Sequence, residues 1–449
     1  MPFPHLWNYR KPLRILDAVF WGADKEESDA KHNRYAKVPS MGLALITRDP
    51  SIIKAVLLDS GAKPGQFDRD TWPTSGIARA TGAQTMLYLN RTAWRNHKRL
   101  AARPFAASAL FQPEIFGEFE RTFRKTVGER LDAFGARHRS VHPDGLEIAL
   151  EPEISALMLE MLVNNFFGGQ VSYEEVRTRF VPSLEKLIKN MVRETVNPLS
   201  RGGSETKRWK ADFEALVDHA LEGRKTGQGA WKKFNVDVPD EDLRPNLRVF
   251  LAGALEATTS LAAWTISHLA HRPDLQAAIH DEVSELDVYN PDNLEKCPML
   301  NAAIQETLRL TPALYFLPRL ATADTVVTAG ESRTLKIPKG THVVLDVWHA
   351  NRCEEFWGVD KTGHPAIEFE PARWQFIKEE GLTNEALHFG FGHGARVCPG
   401  KFLGMLEVGL LVGGMVKLFR FWSTKPPAEA VAGVSTKPAD ATTIWVKRR

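Results

Sequence analysis

Apolar residues recur with a helical period through most of the middle of the chain, from about residue 111 to residue 270. The clearest predicted helices are Glu114–Phe134, Pro152–Phe167 and Tyr173–Val196. The stretch Arg244–His271 is apolar almost all round, which predicts a buried central helix. The segment Asn197–Thr206 contains proline and glycine and predicts a loop between two helices.

Short strand patterns flank this helical region on both sides. Leu43–Thr47 predicts a strand, and a helix should follow from Ser51 to about Leu58. Later strands are predicted at Val326–Val327, Thr334–Ile337 and Val343–Val347, with a final strand pair or tail over Gly433–Arg449. The pattern therefore indicates a mainly α fold with a small β lobe. We expect a single domain over residues 1–449, with the β-rich lobe at about 36–65, 319–360 and the C-terminal tail, and the helical body at about 66–318 and 399–420.

Composition and charge exclude several classes of protein. The chain has 449 residues, 43% hydrophobic and 25% charged, as in an ordinary globular protein, and its net charge of +3 does not indicate a nucleic-acid partner. Its three cysteines, Cys297, Cys353 and Cys398, lie far apart, which argues against a structural zinc site and a disulfide scaffold. A reducing cytoplasm fits this cysteine usage best.

The sequence gives no sign of a membrane anchor. No segment reaches the roughly 18 uninterrupted apolar residues that span a bilayer, and the nearest, Phe402–Val416, is interrupted by Glu407. Met1–Arg14 has neither a long apolar core nor a small-residue cleavage site, so it lacks the pattern of a signal peptide. We expect a cytoplasmic protein without a membrane anchor.

The most informative segment is Phe391–Gly400, with the sequence FGHGARVCPG. Its glycines let the backbone lie close to a flat ligand. Pro399 suits the first position of a helix, which would make Cys398 the cap and favour a thiolate there. A thiolate held in this way is a plausible axial ligand for heme iron. A lone cysteine can also be simply a small buried hydrophobic residue.

This decapeptide resembles the heme-ligand loop of the cytochrome P-450 superfamily. The matching residues are Phe391, Gly392, Gly394, Arg396, Cys398 and Gly400. The resemblance implies heme b (iron protoporphyrin IX) as cofactor, Cys398 as its metal ligand, and Phe391, Arg396 and Gly400 as further heme-binding residues. The absence of the N-terminal anchor found in microsomal relatives suggests a soluble, bacterial-type member.

A second motif supports the resemblance. Glu306 and Arg309 are three residues apart on an apolar helix, so they can pair on one buried face. Arg373, in Phe369–Trp374, can complete a charge-assisted network with Glu306. This order of motifs resembles that of the same superfamily, in which the three residues form a structural triad. An exposed surface pair is the simpler alternative for Glu306 and Arg309.

The resemblance also implies contacts to the two heme propionates. Trp94, His97 and Lys98 lie in a segment similar to the family's W-x-x-x-basic helix, and Arg319 and Arg396 match the other donors. Buried carboxylates need such cations or donors nearby. An ordinary basic amphipathic helix would also account for the segment around Trp94.

On the central helix the sequence departs from the family pattern. Relatives usually have an acid followed by a threonine here, which guide protons during oxygen activation. A gapless alignment places Glu256 at the acid and Ala257 at the threonine position, whereas a shift by one residue makes Thr258 the alcohol and misplaces Glu256. We assign Glu256 and Thr258 as candidate catalytic residues and leave the two registers open, with the gapless one preferred.

The implied activity is that of a monooxygenase, which inserts one oxygen atom of O2 into an organic substrate. Electrons must come from another protein, a ferredoxin or flavodoxin, for which Lys98, Arg99 and Lys401 are candidate docking residues unless they simply form a solvated basic face. The substrate should be hydrophobic, because the expected pocket is mostly apolar. Its candidate residues are Leu87, Leu255, Ala257, Leu314, Tyr315 and Phe316.

Two other kinds of function stay open. The protein could be a peroxide-using or rearranging heme-thiolate enzyme, which would not need the proton relay that Ala257 interrupts. It could also be a heme sensor without turnover, although no output domain is visible in the sequence. We expect a monomer.

Overall fold

The computed structural model describes residues 13, 16–17, 31–38, 42–61, 65–71, 75–101, 103–138, 145–196, 203–226, 229–234, 238–285, 296–329, 333–384 and 388–449. The α-helices within these ranges are α1 (Pro50–Asp59), α2 (Ser75–Thr81), α3 (Arg91–Ala101), α4 (Ala107–Leu110), α5 (Pro113–His138), α6 (Glu151–Glu160), α7 (Tyr173–Glu175), α8 (Val181–Val196), α9 (Ser204–Thr226), α10 (Asp240–Gly253), α11 (Thr259–Leu269), α12 (Pro273–Glu285), α13 (Pro298–Leu310), α14 (Val347–Ala350), α15 (Glu354–Trp357), α16 (Val359–Thr362), α17 (Ala372–Glu379) and α18 (Lys401–Leu418).

The strands are short and lie mostly towards the two ends of the chain. They are β1 (Asn33–Val38), β2 (Gly42–Thr47), β3 (Phe67–Arg69), β4 (Leu146–Ala149), β5 (Leu317–Ala321), β6 (Thr325–Ala329), β7 (Arg333–Ile337), β8 (His342–Leu345), β9 (Phe419–Trp422), β10 (Ala430–Ala432), β11 (Thr436–Pro438) and β12 (Thr443–Arg448). The predicted mainly α fold with a small β content is confirmed.

A continuous central helix of 30 residues, Asp240–Leu269, joins α10 to α11 through a π-helical turn at Ala254–Thr258. Three acids, Asp240–Asp242, occupy its first turn, where negative charge suits the helix dipole. Almost every residue of α11 is buried, because its side chains are apolar or small all round. In the described part of the chain this helix alone is long and apolar enough to cross a membrane, yet 67% of its apolar window is buried inside the protein, as in a core helix.

Most of the apolar core lies among the helices. It includes side chains from α5, α6, the central helix and α18. The segment Leu403–Val416 of α18, predicted to be too interrupted for a membrane span, is almost entirely buried in this core together with Glu407.

The largest sheet has five strands in the order β1-β2-β8-β5-β3. Strands β2 and β8 are parallel, and the other neighbouring pairs are antiparallel. A three-stranded antiparallel sheet has the order β4-β12-β9, and β6-β7 and β10-β11 form two separate antiparallel pairs. Strand β3 consequently reaches the same sheet as β5, although they are far apart in sequence.

Several predicted boundaries differ from the structure. The predicted loop Asn197–Thr206 falls largely outside the described residues, but its end is helical, since α9 begins at Ser204 and buries Thr206. The strand predicted to reach Val347 ends at Leu345, because the Asp346 side chain accepts from the His349 amide and starts α14. Residues 347–360, which we assigned to the β-rich lobe, contain the short helices α14 and α15 and the first residues of α16.

Candidate functional site

In the loop before α18, the backbone of Cys398 contacts the backbone of Phe391. The Cys398 amide donates to the Phe391 carbonyl at 2.9 Å, closing the loop. Gly392 and Gly394 have φ of 72° and 71°, the left-handed region that favours glycine. A Cβ on Gly394 would lie 2.7 Å from the Leu57 carbonyl oxygen, so only glycine lets this loop pack against α1.

The start of the following helix corrects one expectation. Helix α18 begins at Lys401 with Gly400 as its cap, so Cys398 is not the capping residue. The residues between them form a turn, in which the Lys401 amide points to the Cys398 carbonyl at 3.4 Å. The cysteine nevertheless lies close to the positive end of the helix.

Cys398 is the exposed cysteine among the three. Its residue surface is exposed, yet burial among the surrounding protein atoms raises the pKa of its thiol, against smaller opposing effects of the Gly400 amide and the Lys401 charge. The other two cysteines differ, because Cys297 is buried in the apolar core and Cys353 caps the short helix α15.

Three arginines lie near this loop without a carboxylate partner among the described residues. Arg319, 2% exposed, donates through Nε to Ser60 Oγ at 2.8 Å. Arg396 donates through Nη2 to the Leu89 carbonyl at 2.8 Å and to Asn90 Oδ1 at 2.7 Å, while its Nε has no hydrogen-bond partner in the described part of the chain. The Nε of Arg69 is likewise buried and unpartnered.

These arginines repel one another. Burial lowers the pKa of Arg319 far below its ordinary value, and the charges of Arg69 and Arg396 lower it further. Burial, followed by the charge of Arg69, lowers the pKa of Arg396 to about 10. The charges of Asp70 and Asp68 act in the opposite direction on Arg69 and Arg396 but do not outweigh the burial. Such a buried cluster of cations is unfavourable unless an anion binds it. Arg69 was missed from the sequence, because β3 is only three residues long and nothing local shows its pairing with β5.

Helix α3 packs its predicted site residues beside this cluster. The Arg396 guanidinium stacks 4.4 Å from the centroid of the buried Trp94 ring. Lys98 Nζ lies 5.3 Å from the same ring and donates to the Ala395 carbonyl. His97 turns to the central helix instead, where its Nδ1 is 3.1 Å from Asn246 Nδ2.

One face of the central helix is open although the helix is otherwise buried. Gly253 and Ala257 are exposed, and Ala254 and Thr258 are half-buried. We call these four residues the open face. A Cβ on Gly253 would meet no atom within 4 Å, whereas a Cβ on Gly404, in the first turn of α18, would lie 3.3 Å from Thr258 Cγ2. The open face therefore borders the region just beyond Cys398.

The candidate catalytic residues point in different directions. Thr258 Oγ1 donates back to the Ala254 carbonyl within the π-helical turn. Glu256 is 6% exposed and turns away from the open face. Its Oε2 accepts from Ser435 Oγ at 2.5 Å and its Oε1 lies 3.5 Å from Lys437 Nζ. Both residues belong to the C-terminal hairpin, which consists of β10, β11 and the turn between them.

The structure brings the three residues of the predicted triad together in the interior. Glu306 and Arg309 form a bidentate pair at 2.7 and 2.9 Å, and Arg373 Nε donates to Glu306 Oε1 at 3.1 Å. All three side chains are fully buried. The remaining donors of both arginines reach backbone carbonyls, including those of Asn351, Ala366 and Pro365.

The expected pocket residues do not all line one space. Ala257 is on the open face, Leu87 is half-buried and Leu314 is 39% exposed. Leu255, by contrast, is fully buried in the main core. Tyr315 is buried with its hydroxyl donating to the Gly433 carbonyl at 3.1 Å, and Phe316 packs with it in a separate small cluster.

Comparison with known proteins agrees with this architecture. A family model described as cytochrome P450 matches residues 181–442. Similar proteins include a cytokinin hydroxylase of Arabidopsis thaliana, 25% identical over 75% of this chain and 66% of that protein. A mitochondrial 1,25-dihydroxyvitamin D(3) 24-hydroxylase of Rattus norvegicus is 23% identical over 94% of this chain and 84% of its own length. Cytochrome P450 monooxygenase 128 of Postia placenta is 29% identical over 47% of this chain and 44% of its own.

A helical body with an exposed cysteine at the start of a buried helix, beside the open face of a longer central helix, is the architecture of a heme-thiolate protein. The chain belongs to the cytochrome P450 family, which confirms the resemblance drawn from the Cys398 loop. The names monooxygenase and hydroxylase among the similar proteins agree with an oxidoreductase of the cytochrome P450 type. The matches to the first three relatives span 44%, 66% and 52% of their lengths.

The residues present fit the heme group that the family implies. The thiol of Cys398 is exposed, and the glycine loop beside it presents backbone without side chains. The buried and unpartnered Nε atoms of Arg69 and Arg396 suit an anionic group. A flat dianionic cofactor with a metal that accepts a thiolate matches both features.

Proposed function

We propose that the protein is a monooxygenase that uses heme b, O2 and electrons from a separate protein to insert one oxygen atom into a hydrophobic organic substrate. The observation that carries this proposal is the exposed Cys398 thiol in its glycine loop, next to three arginines for which the described residues provide no carboxylate partner. When bound, the heme supplies one-electron and O2 chemistry that no side chain of this chain can supply.

The residues of the chain bind and orient the cofactor. Cys398 would hold the metal as thiolate, with Phe391 and Gly400 in the same loop. Arg319 and Arg396 would bind the propionates, and we add Arg69 to them. Trp94 and Lys98 support Arg396, the first by stacking and the second through Ala395. His97, bonded to Asn246, orients α3 against the central helix.

The residues of the open face border the substrate. Gly253, Ala254 and Ala257 have small side chains and leave room for a bulky apolar compound. Leu87 and Leu314 would form apolar walls nearby, with Tyr315 and Phe316 packed behind Leu314 and Leu255 supporting the helix from the core. Glu256 and Thr258 would hold and pass protons at their carboxylate and hydroxyl oxygens.

Electrons would reach the cofactor from a ferredoxin- or flavodoxin-type donor. Arg99 is exposed and Lys401 is half-buried at the start of α18, so a basic surface is available beside the Cys398 loop. Lys98 contributes less to such a surface, because its ammonium is held by Ala395. We propose a cytoplasmic monomer, in agreement with the cysteine usage.

A second candidate is a peroxide-using heme-thiolate enzyme. It is favoured by Ala257, a residue without a hydroxyl that is exposed on the open face, where relatives are expected to have threonine. Such an enzyme receives its oxygen and protons together from peroxide. It would therefore depend less on Glu256.

The first test concerns Cys398 as the ligand of the heme iron. The reduced holoenzyme with CO should show the strongly red-shifted Soret band of thiolate ligation, and Cys398→Ser should lose it, whereas Cys353→Ala should keep it. Retention of the band in Cys398→Ser would refute the assignment. A spectral screen of hydrophobic compounds then selects substrates. Product formed with a surrogate ferredoxin and reductase supports the monooxygenase, and product formed only with peroxide supports the second candidate.

A further inference from the structure

One lysine is surrounded by three carboxyl groups from three different helical elements. Lys437, on β11, lies 3.0 Å from Glu151 Oε1 at the start of α6 and 3.5 Å from Glu256 Oε1 on the central helix. Glu185, on α8, is the third carboxyl close enough to act on Lys437. The side chain of Lys437 is 15% exposed, and those of Glu151 and Glu256 are 13% and 8% exposed, so water screens these charges poorly.

The same hairpin reaches Glu256 by a second route. Ser435 Oγ donates to Glu256 Oε2 at 2.5 Å, so each oxygen of this carboxylate meets a group from the hairpin. The Ser260 hydroxyl of the central helix donates to the Thr436 carbonyl at 2.6 Å. The hairpin is thus fixed to the central helix by side chains on both of them.

The hairpin also borders the segment that is expected to face the substrate. The Thr436 amide donates to the Ala313 carbonyl at 2.9 Å, and the Tyr315 hydroxyl donates to the Gly433 carbonyl at 3.1 Å. A displacement of the hairpin would therefore move both Glu256 and the residues around Ala313. This links the position of one carboxylate to the wall of the site.

The electrostatics favour a charged lysine in this place. Burial lowers the pKa of Lys437, but Glu256, Glu151 and Glu185 outweigh it, so the pKa is raised. Burial raises the pKa of Glu185, with Glu151 and Glu256 acting in the same direction and Lys437 and Lys189 opposing them. Without the ammonium, three carboxyl groups would face one another, and among the described residues Lys189 is a cation that still acts on Glu185.

We propose that Lys437 is a positioning residue for Glu256: with Ser435, it holds the Glu256 carboxylate turned to the C-terminal hairpin and holds that hairpin against the central helix. The role in catalysis rests on the proposed function, since it requires that Glu256 passes protons. The contact of Lys437 and Ser435 with Glu256, which we call the clamp, does not rest on that function, and it can be measured without turnover. The side chains that contact the Glu256 carboxylate come from the hairpin, not from the helices that surround the substrate.

The first measurement is hydrogen exchange of the hairpin in the holoenzyme, compared among Lys437→Met, Lys437→Arg and wild type. Lys425→Met is the matched control, because Lys425 pairs with Glu147 at 2.8 Å but is 54% exposed. We expect Lys437→Met to speed exchange of the Gly433 and Thr436 amides by about tenfold or more. Lys437→Arg and Lys425→Met should leave this exchange near the wild-type rate. Unchanged exchange in Lys437→Met would overturn the clamp.

The second measurement is the pH dependence of the ratio of product to NAD(P)H consumed. Loss of the ammonium favours the protonated forms of the surrounding carboxyls, so the acid limb of this profile should move to higher pH in Lys437→Met and return in Lys437→Arg. If Lys437→Met speeds hydrogen exchange of the hairpin but leaves the pH profile of the product ratio unchanged, Lys437 has only a structural role, and the positioning role is overturned. If wild type forms no product with any compound, the proposed function fails, and the exchange result alone decides the clamp.

Discussion

Arg69 and Arg319 are directly opposite each other on the adjacent antiparallel strands β3 and β5. Like charges in this position repel, and no described carboxylate forms an ion pair with either residue. Burial lowers the pKa of both residues, and the charge of Arg69 further lowers that of Arg319. The folded protein thus carries an unfavourable cationic cluster that a bound dianion would relieve.

We therefore expect Arg319→Gln to weaken heme retention while leaving the apoprotein at least as stable as wild type. A hydrogen bond to a charged group contributes roughly 1.5–3 kcal/mol, so heme transfer to an excess of apomyoglobin should be faster by about 10- to 100-fold. Arg69→Gln should act in the same direction. The comparison of apoprotein stability by urea unfolding separates this effect from a loss of packing.

Arg91→Gln is the matched control for the arginine cluster, because Arg91 is exposed and pairs with Asp68. It should change neither heme transfer nor apoprotein stability appreciably. The assignment of Arg319 and Arg69 to the propionates is wrong if their variants keep heme as firmly as this control does.

The second prediction concerns the buried network of Glu306, Arg309 and Arg373. Removing one partner leaves a buried charge unpaired, which costs about 3–5 kcal/mol. Arg309→Ala should therefore yield little folded, heme-loaded protein, and its urea midpoint should be far below that of wild type. Arg177→Ala, which removes a partly exposed arginine paired with Glu174 three residues earlier, should cost about 1 kcal/mol or less. Recovery of Arg309→Ala as stable holoenzyme would contradict the structural role.

The sequence predicted the elements whose signals are local. Helical periodicity located the central helix and α13, and the spacing of Glu306 and Arg309 put them on one face of that helix. The glycines around Cys398 likewise indicated a close approach of the backbone. These features depend on residues that are near one another in the chain.

The residues that sequence reasoning missed depend on long-range pairing. Arg69 joins the site only because β3 pairs with β5, and Lys437 reaches Glu256 only through the fold of the β10-β11 hairpin. Leu255 was expected in the pocket from its position, but the π-helical turn leaves Ala257 on the open face and Leu255 in the core. No local pattern in the sequence shows whether Leu255 or Ala257 lies on the open face.

The third prediction is a pH dependence of stability that arises from Glu407. This residue is 1% exposed in the apolar part of α18, and its Oε1 has no hydrogen-bond partner among the described residues. Burial raises the pKa of its carboxyl from 4.5 to about 8. Between pH 4.5 and about 8, the folded state therefore keeps a proton on Glu407 that the unfolded state has released. The contribution of Glu407 to the free energy of unfolding is complete below pH 4.5 and is lost as the pH rises through about 8.

The measurement is urea unfolding of wild type and Glu407→Gln from pH 5 to pH 9. The amide keeps the shape and removes the ionisation, so the variant should lose less stability with rising pH, by up to about 1.4 kcal/mol per pH unit within the window. Glu379→Gln, on the exposed side of α17, should follow the wild-type curve. Parallel curves for wild type and Glu407→Gln would show that Glu407 is ionised at neutral pH.

The last prediction decides which residue of the central helix completes the proton relay. Ala257 is exposed on the open face without a hydroxyl, and the Thr258 hydroxyl bonds back to Ala254. We expect Glu256→Gln to slow oxygenation by about 100-fold and to divert electrons into peroxide. Ala257→Thr should be tolerated and should raise the ratio of product to NAD(P)H consumed, because it restores an alcohol on the open face. Thr258→Ala should lower that ratio only if its hydroxyl leaves the Ala254 carbonyl to serve as the alcohol. Each variant is compared at equal heme content with the same surrogate reductase and substrate. If Thr258→Ala abolishes coupling while Glu256→Gln does not, Thr258 occupies the usual alcohol position and the gapless register is wrong by one residue.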